Sequence, residues 1–339
     1  MDIRSVEETK KKLLNKLLCS IKTESLSLIW KDSSDFHGQD LGAEVLYTSF
    51  DKFKEVRVIS LYKPSKGILH SSCLSIAYGC NKNCPICKSG TEETFMGYYD
   101  YRYIVAQQEF LMRHSSYYDD SFWTDESPFS TALTGQGDIA FNFDESMKAM
   151  DILESVFGKR FICNISTAFI MGVEKLLNFL TGTNFIPNLQ ISLHGSNKEI
   201  RRHHVDSDED PKLLVQRGLE YAKQSDTVLI VNYGLTDKNF RKEYIEEVLD
   251  WLDPKISRMK FSRINLSKSA DILSVQDDES FELAACWAKG KGINYEIFDE
   301  RFQAGLESGA ACGTLLNRIP IRQKEVSEDD RMAYNKQRV

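Results

Sequence analysis

The chain lacks any apolar run long enough to cross a bilayer, and it lacks the apolar stretch of a secretory signal peptide at its start. Its longest apolar runs, such as residues 228–231, are far shorter than the roughly 20 residues that a spanning helix needs. Met1 and Asp2 lead directly into charged sequence. We therefore expect a cytoplasmic protein that has no membrane partner.

Positive charge is also scarce, since 50 acidic residues outnumber 43 lysines and arginines and leave a formal net charge of −7. Such a chain exerts no general electrostatic attraction on nucleic acid, so any RNA contact must depend on local basic patches. The runs at residues 201–204 and 318–324 are candidates, although both could equally be solvated faces. Internal repeats and low-complexity segments are absent. The hydrophobic content of 42% is sufficient for an enzyme-sized core.

Eight cysteines in 339 residues do not form a secreted disulfide framework, so we expect reduced thiols. Three of them, Cys80, Cys84 and Cys87, share one short loop with the spacing C-x3-C-x2-C. Three thiolates this close together can ligate three irons of a cubane 4Fe-4S cluster, which normally takes four cysteines. No fourth cysteine is nearby, so one iron is left open for another ligand.

S-adenosylmethionine (SAM) is the obvious candidate for that ligand, because its amino and carboxylate groups can chelate the open iron. The cluster can then reduce the sulfonium and release a 5′-deoxyadenosyl radical, while the protein supplies position and electrostatics. A structural zinc site is the alternative interpretation. Such sites usually contain paired C-x2-C units or four Cys and His ligands, and the sequence contains no second pair.

Strands alternate with helices along most of the chain, which predicts βαβ units and a parallel sheet. The predicted strands span residues 72–78, 129–134, 160–165, 188–193, 227–233, 259–264 and 293–298. The predicted helices span residues 101–114, 144–157 with Asp144 as N-cap, 172–180, 211–224, 241–252 and 280–289. This pattern indicates an α/β fold with a partial (β/α)6 barrel, whose chemistry belongs at the C-terminal ends of the strands.

We divide the chain into three parts. Residues 1–70 form an N-terminal extension with an amphipathic helix at 10–21 and a β-hairpin at 44–50 and 55–61. Residues 71–300 form the core barrel, and residues 301–339 form a C-terminal segment.

Several separate segments carry a family resemblance, beginning with Cys73, which precedes the cluster motif by seven residues. The segments are 73–80, 135–138, 166–168, 191–194 with 197–201, and 310–313, the last of which contains Cys312. In order and spacing, from about residue 44 to the end, the chain resembles the RlmN/Cfr group of radical SAM methyltransferases. Those enzymes methylate carbon 2 or carbon 8 of an adenine in 23S ribosomal RNA, and RlmN also acts on some tRNAs. The cluster motif marks only the superfamily, whereas Cys73 and Cys312 are far more specific.

The resemblance implies a two-stage methyl transfer through Cys312 and Cys73. Cys312, as a thiolate, takes a methyl group from one SAM by displacement. A radical from a second SAM removes a hydrogen from this S-methyl group, and the resulting carbon radical adds to an electrophilic sp2 carbon. Cys73 then removes the proton from that carbon, and a Cys73–Cys312 disulfide releases the product. The alternative is that both are small buried packing residues, as we expect of Cys19, Cys163 and Cys286.

The resemblance also implies a set of SAM-binding residues. They are Gly135, Gly137, Asp138, Thr167, Ser192, His194 and Asn265. Asp138, where the family usually has glutamate, accepts from the SAM ammonium, and Thr167 binds the carboxylate. Ser192 and His194 reach the ribose, and Asn265 contacts the adenosine. Each could instead be a turn, cap or structural residue.

Three interpretations of the function stay open. The first is methylation of an adenine carbon in ribosomal or transfer RNA. The second is the same Cys312 chemistry on a small molecule, such as a nucleoside or a natural-product intermediate. The family's helical N-terminal RNA-binding domain has no recognisable counterpart here, which keeps this second interpretation open. The third is a non-catalytic iron–sulfur protein, which Cys73 and Cys312 disfavour. We further expect a monomer that takes electrons from an external flavodoxin- or ferredoxin-type donor.

Overall fold

The computed structural model describes residues 24–298 apart from short gaps at 37–38, 51–52, 54–55, 64–67, 116–117, 119–121, 123–126, 183–184, 265–270 and 276. The strands are β1 (Glu24–Phe36), β2 (Gln39–Ser49), β3 (Val56–Lys63), β4 (Ile68–Cys73), β5 (Ala77–Tyr78), β6 (Gly97–Tyr98), β7 (Phe129–Leu133), β8 (Phe161–Thr167), β9 (Asn188–Ser192), β10 (Leu229–Gly234), β11 (Ser257–Ser262) and β12 (Asn294–Phe298). The α-helices are α1 (Lys88–Thr91), α2 (Tyr101–His114), α3 (Phe143–Phe157), α4 (Ile170–Phe179), α5 (Lys198–Arg202), α6 (Pro211–Ser225), α7 (Lys242–Leu249) and α8 (Asp278–Gly290). Short 3-10 helices lie at Ile139–Phe141 and Gly158–Arg160.

One ten-stranded sheet organises the described residues, in the order β1-β2-β3-β4-β7-β8-β9-β10-β11-β12. From β4 to β12 every neighbouring pair is parallel, and each parallel connection passes through at least one helix. The α/β class and the mainly parallel sheet are therefore confirmed. Because the strands run the same way, their C-terminal ends all lie at one edge of the sheet.

The N-terminal extension continues the same sheet. The predicted hairpin is present, since β2 and β3 pair antiparallel from Gly42↔Tyr62 to Thr48↔Val56. A further strand, β1, was not predicted and pairs with β2, while β3 pairs with β4. The predicted division between residues 70 and 71 falls within β4. The predicted helix at 10–21 and the segment 301–339 lie outside the described residues.

Two predicted boundaries are wrong. The strand predicted at 72–78 is interrupted, because β4 ends at Cys73 and β5 covers only Ala77–Tyr78. The Leu74 N–H still donates to the Ala132 carbonyl of β7, but the following peptide groups bond elsewhere. The backbone of Ser75 bonds to the side chain of Gln107, and the N–H of Ile76 donates to the carbonyl of Gln136.

Asp144 is not an N-cap, because α3 begins one residue earlier, after Asn142. The Asn142 side chain donates to the carbonyls of Ile76 and Tyr99, both at 2.8 Å, and caps nothing. Asp144 lies in the first helical turn instead, where its negative charge interacts favourably with the positive end of the helix dipole.

The core lies between the sheet and the helices that cover it. Along β8 the buried and partly exposed residues alternate, so one face of the strand is buried in the core and the opposite face is more accessible. Core residues of the central strands, such as Ile165, Ile191 and Val231, are 1% exposed or less. Among the helices of the described residues, none is long and apolar enough to cross a membrane.

Candidate active site

Most of the predicted site residues meet at the C-terminal edge of the parallel strands. Cys73, Thr167 and Ser192 are the last residues of β4, β8 and β9. The turn at 135–138 follows β7, and the cysteine loop follows β5. Cys312 and Asn265 lie outside the described residues, so their predicted roles stay predictions.

Close backbone packing shapes the cysteine loop, and two glycines make this packing possible. Gly79 has a φ of +73°, and an added Cβ would lie 2.7 Å from the carbonyl oxygen of Thr94. At Gly90 an added Cβ would lie 2.1 Å from the carbonyl oxygen of Lys82. The loop is therefore folded against its own continuation, and larger residues at these two positions would displace it.

Peptide N–H groups point at all three sulfur atoms of the loop. Cys80 accepts from the backbone of Lys82 and Gly137, and Cys87 accepts from the backbone of Ser89 and Gly90. The Asp206 N–H lies 3.4 Å from the Cys84 sulfur. Donors of this kind stabilise thiolates and are typical of the surroundings of iron–sulfur clusters.

The thiols also repel one another electrostatically as they ionise. Burial, together with the smaller effects of the charges of Cys87 and Asp138, raises the pKa of Cys80 to about 11 and that of Cys84 to about 12. Burial likewise raises the pKa of Cys87. A bound cation compensates such a set and keeps the sulfurs ionised. Three soft ligands with peptide donors fit an iron–sulfur cluster. No three His, Cys, Asp or Glu side chains of the described residues converge on a site for a single metal ion.

Apolar side chains close over one side of Cys84. Ala140, Ala168, Phe169 and Val205 form a small buried cluster in which Cys84 and Phe141 also pack. The ammonium of Lys82 lies 5.2 Å from the centres of both the Phe141 and the Phe169 ring. This shell covers part of Cys84, and burial is the main cause of the raised pKa of its thiol.

The glycine-rich turn supports the cysteine loop directly. An added Cβ at Gly135 would lie 2.5 Å from the Ser75 hydroxyl, and Gly137 has a φ of +92°. Between them, Gln136 is 1% exposed, and its side-chain oxygen accepts from the Gly79 N–H at 2.9 Å. Its carbonyl accepts from the N–H of Ile76. Sequence reasoning missed Gln136, whose role depends on contacts with residues 57 to 61 positions away.

Asp138 and Thr167 form one hydrogen-bonded unit. The Thr167 hydroxyl donates to Asp138 at 2.7 Å, and the N–H groups of Ala140 and Ala168 also donate to the carboxylate. Burial raises the pKa of Asp138, and these three hydrogen bonds act against that rise. A carboxylate offers about four acceptor positions, so one is left for an external donor such as an ammonium group. The hydroxyl proton of Thr167, by contrast, is already used within this unit.

His194 is held neutral with a defined tautomer. It has a φ of +58°, and its Nδ1 accepts from the Gly234 N–H at 2.8 Å. Because Nδ1 is an acceptor, the ring proton belongs on Nε2. Burial lowers the pKa of His194 well below its usual value, and the charges of His204 and Arg201 lower it further. His194 can therefore donate one hydrogen bond through Nε2 and carries no charge.

Ser192 belongs to a polar surface on the more accessible face of the sheet. Its hydroxyl lies 3.3 Å from that of Ser166, which accepts from Gln190. Lys260 donates to Gln190, and Asn188 donates to Asn164. All these side chains come from the partly exposed alternate positions of β8, β9 and β11. Such a lining suits a polar ligand such as a nucleoside.

The basic run at residues 201–204 is not a surface patch for phosphates. Arg201 and His204 are both 0% exposed, and only Arg202 and His203 face solvent. His204 bonds to Thr236 at 2.9 Å and to the carbonyl of Ile200 at 3.0 Å. The spacing of Ile200, His204 and Val205 around a helical turn is the signal that could have indicated a buried face. The run at 318–324 lies outside the described residues.

Comparisons with known proteins agree with this geometry. No family model matches the chain. The ribosomal RNA large subunit methyltransferase N of Nitrosopumilus maritimus is 26% identical over 275 residues, which cover 76% of this chain and 72% of that protein. A probable dual-specificity RNA methyltransferase RlmN of Caldanaerobacter subterraneus is 23% identical over 249 residues, which cover 73% and 68%. The chain is RlmN/Cfr-like.

The fold of this RlmN/Cfr-like chain matches that of a solved structure. A radical SAM methyltransferase from Sphaerobacter thermophilus superposes with a TM-score of 0.70 at 19% identity, over 91% of this chain and 86% of that one. The predicted resemblance and the predicted fold class are thus both confirmed.

Cys73 of this RlmN/Cfr-like chain is the last residue of β4. It is partly exposed, and the Thr134 hydroxyl donates to its sulfur at 3.5 Å. Cys163, on β8, is 3% exposed instead, and burial raises the pKa of its thiol. Thus Cys73 has the access and the donor that a reactive thiol needs, and Cys163 has neither.

Proposed function

We propose that this RlmN/Cfr-like chain is a radical SAM enzyme that methylates an sp2 carbon of an adenine in RNA. One observation carries the proposal: Cys73, the three cysteines of the loop and the SAM-binding turn lie at one edge of the sheet. Relatives that are named RNA methyltransferases support RNA as the substrate class. The net charge of −7 implies that RNA recognition depends on shape and on local contacts.

The residues at this edge fit both cofactors. Cys80, Cys84 and Cys87 would hold a 4Fe-4S cluster, aided by the peptide N–H groups directed at their sulfurs. When bound, the cluster supplies the electron that splits SAM reductively. Asp138 offers its remaining acceptor position to the SAM ammonium. Asn265 is proposed to contact the adenosine.

The neutral residues of the site bind the rest of SAM. His194 donates from Nε2, and the Ser192 hydroxyl adds a second polar group for the ribose. In this structure the Thr167 hydroxyl orients Asp138, so a direct contact of Thr167 with SAM requires that hydroxyl to turn. Its main contribution is therefore to hold the carboxylate in place.

Two thiols carry out the transfer itself. Cys312 carries the methyl carbon and bonds through it to the substrate. Cys73 takes the proton from the substrate carbon, and the Thr134 hydroxyl stabilises its thiolate beforehand. The adduct also gives up its unpaired electron to the external redox protein. Formation of a Cys73–Cys312 disulfide then breaks the bond between Cys312 and the methylene carbon, which keeps the electron pair and takes up a proton to become the methyl group of the product. An external flavodoxin- or ferredoxin-type protein would deliver the electrons.

The test is to trap the substrate on the protein. Cys73→Ala should still methylate Cys312 and bind substrate covalently, but it cannot remove the proton that releases the product. We therefore expect material attached to Cys312 when this variant is purified from its native host and digested for mass spectrometry. Cys163→Ala, which removes a buried thiol from β8, two strands away from Cys73 in the sheet, is the matched control and should carry no adduct.

The attached material decides between the substrate classes. An RNA fragment supports the proposal. A nucleoside or another small molecule would instead show that the substrate belongs to the second class and that RNA is not the substrate. If nothing is attached although the wild type is active, the role of Cys73 is wrong.

A further inference from the structure

Arg201 is a buried cation whose hydrogen-bonding capacity is largely unused. The residue lies in α5 and is 0% exposed. Its Nη2 donates to the carbonyl of Ala168, but Nε and Nη1 have no hydrogen-bond partner. No carboxylate of the described residues lies within ion-pair distance of this guanidinium. Burying a charged group without partners is costly, so an anion is expected to complete the arrangement.

The guanidinium lies inside the proposed active site. Its partner Ala168 directly follows Thr167 at the end of β8. Glu209, Cys84 and Asp138 are all within electrostatic range. Close backbone packing keeps Arg201 at this position, because an added Cβ at Gly195 would lie 2.7 Å from the backbone nitrogen of Arg201. Helix α5 thus packs on the peptide that follows His194. Arg201 connects the two segments that are proposed to bind SAM.

The predicted SAM-binding residues leave the carboxylate of a bound ligand without a hydrogen-bond donor at this edge of the sheet. The Thr167 hydroxyl, which the family resemblance assigns to the SAM carboxylate, donates to Asp138 and accepts from the Phe169 N–H. Both acidic groups nearby, Asp138 and Glu209, are occupied by peptide N–H donors. A second negative group therefore needs a cation beside it, and a planar guanidinium matches a carboxylate in shape and charge.

We propose that Arg201 binds the carboxylate of SAM through the free donors of its guanidinium, while the Ala168 carbonyl holds Nη2 in place. This inference rests on the proposed function. It assigns SAM recognition to a residue whose sequence context, a run of basic residues, points to the surface. It also explains why a fully buried arginine lies near Cys84 although no carboxylate of the described residues is within ion-pair distance of it.

The test compares two ligands and two arginines. Binding of SAM and of decarboxylated SAM, which lacks only the carboxylate, is measured by equilibrium dialysis on anaerobic, cluster-loaded, unreduced protein. Arg201→Met should reduce the preference for SAM over decarboxylated SAM by roughly 10- to 100-fold, the value of a charge-assisted hydrogen bond. Any contribution of the open iron to this preference is the same in both proteins and cancels.

Arg202→Met is the matched control, because Arg202 is the next residue of the same helix, is exposed and forms an ion pair with Asp208. It should leave the preference unchanged. If Arg201→Met does not fold, Arg201→Lys takes its place in the measurement. Because lysine keeps the charge but not the planar guanidinium, this variant should show a preference for SAM that is weaker than that of the wild type.

Two results overturn the inference. The first is an Arg201→Met protein with an unchanged preference for SAM, and if its affinity for both ligands falls equally, Arg201 has a structural role. The second is a wild type that binds decarboxylated SAM as tightly as SAM. A wild type that holds a cluster but binds neither ligand contradicts the proposed function itself.

Discussion

Gly90→Ala tests how the cysteine loop is built. A Cβ at position 90 would lie 2.1 Å from the Lys82 carbonyl oxygen, and an ordinary contact is 3.4 Å or more, so the Lys82 backbone must move by about 1.3 Å. This movement disturbs the Lys82 N–H that donates to the Cys80 sulfur. Overpacking of this kind costs about 1–3 kcal/mol. Helix propensity alone would favour alanine in α1 by about 1 kcal/mol.

The assay is the iron content after anaerobic reconstitution, together with thermal unfolding of the same samples. The wild type should hold about four irons per chain, and Gly90→Ala should hold far fewer and unfold at a lower temperature. Gly182→Ala is the control, since an added Cβ there meets no atom within 4 Å. If Gly90→Ala binds as much iron as the wild type and unfolds no earlier, the close contact does not shape the loop.

Two further predictions concern the methyl carrier and a buried histidine. Protein expressed with SAM available should carry a methyl group on the Cys312 peptide, and Cys312→Ala should keep the cluster but lose methyl transfer; intact turnover would refute the two-stage mechanism. Burial lowers the pKa of His204 to about 4, against about 6.5 when unfolded. Between pH 6.5 and pH 4 the unfolded chain therefore binds one proton more than the folded chain. As the pH falls through this range, the free energy of unfolding decreases by up to about 3 kcal/mol. His204→Gln should flatten this dependence in urea unfolding, and an unchanged slope would contradict the assignment.

Elements with a local signal were predicted well. The helix predicted at 101–114 has those bounds in the structure, and Asp100 caps it by accepting from the Arg102 N–H. The strand predicted at 188–193 differs from β9 by one residue. Both depend on apolar periodicity and on neighbours within a few positions, which the sequence contains directly.

Features that depend on distant contacts were missed. The end of β4 is set by Gln107 and Gln136, which bond to a segment more than 30 residues earlier in the chain. Arg201 is buried because α5 packs against Gly195, and a basic run does not reveal which of its residues faces inward. The cysteines of the loop, by contrast, were found because their chemistry is contained in their spacing.

The central claim is that Cys80, Cys84 and Cys87 hold a cluster that cleaves SAM. The most direct measurement is the formation of 5′-deoxyadenosine from SAM by anaerobically reconstituted, reduced protein, with iron content measured on the same samples. We predict that the wild type and Cys163→Ala form the product and that Cys84→Ala holds no cluster and forms none. A Cys84→Ala protein that keeps its iron and still cleaves SAM would contradict the account.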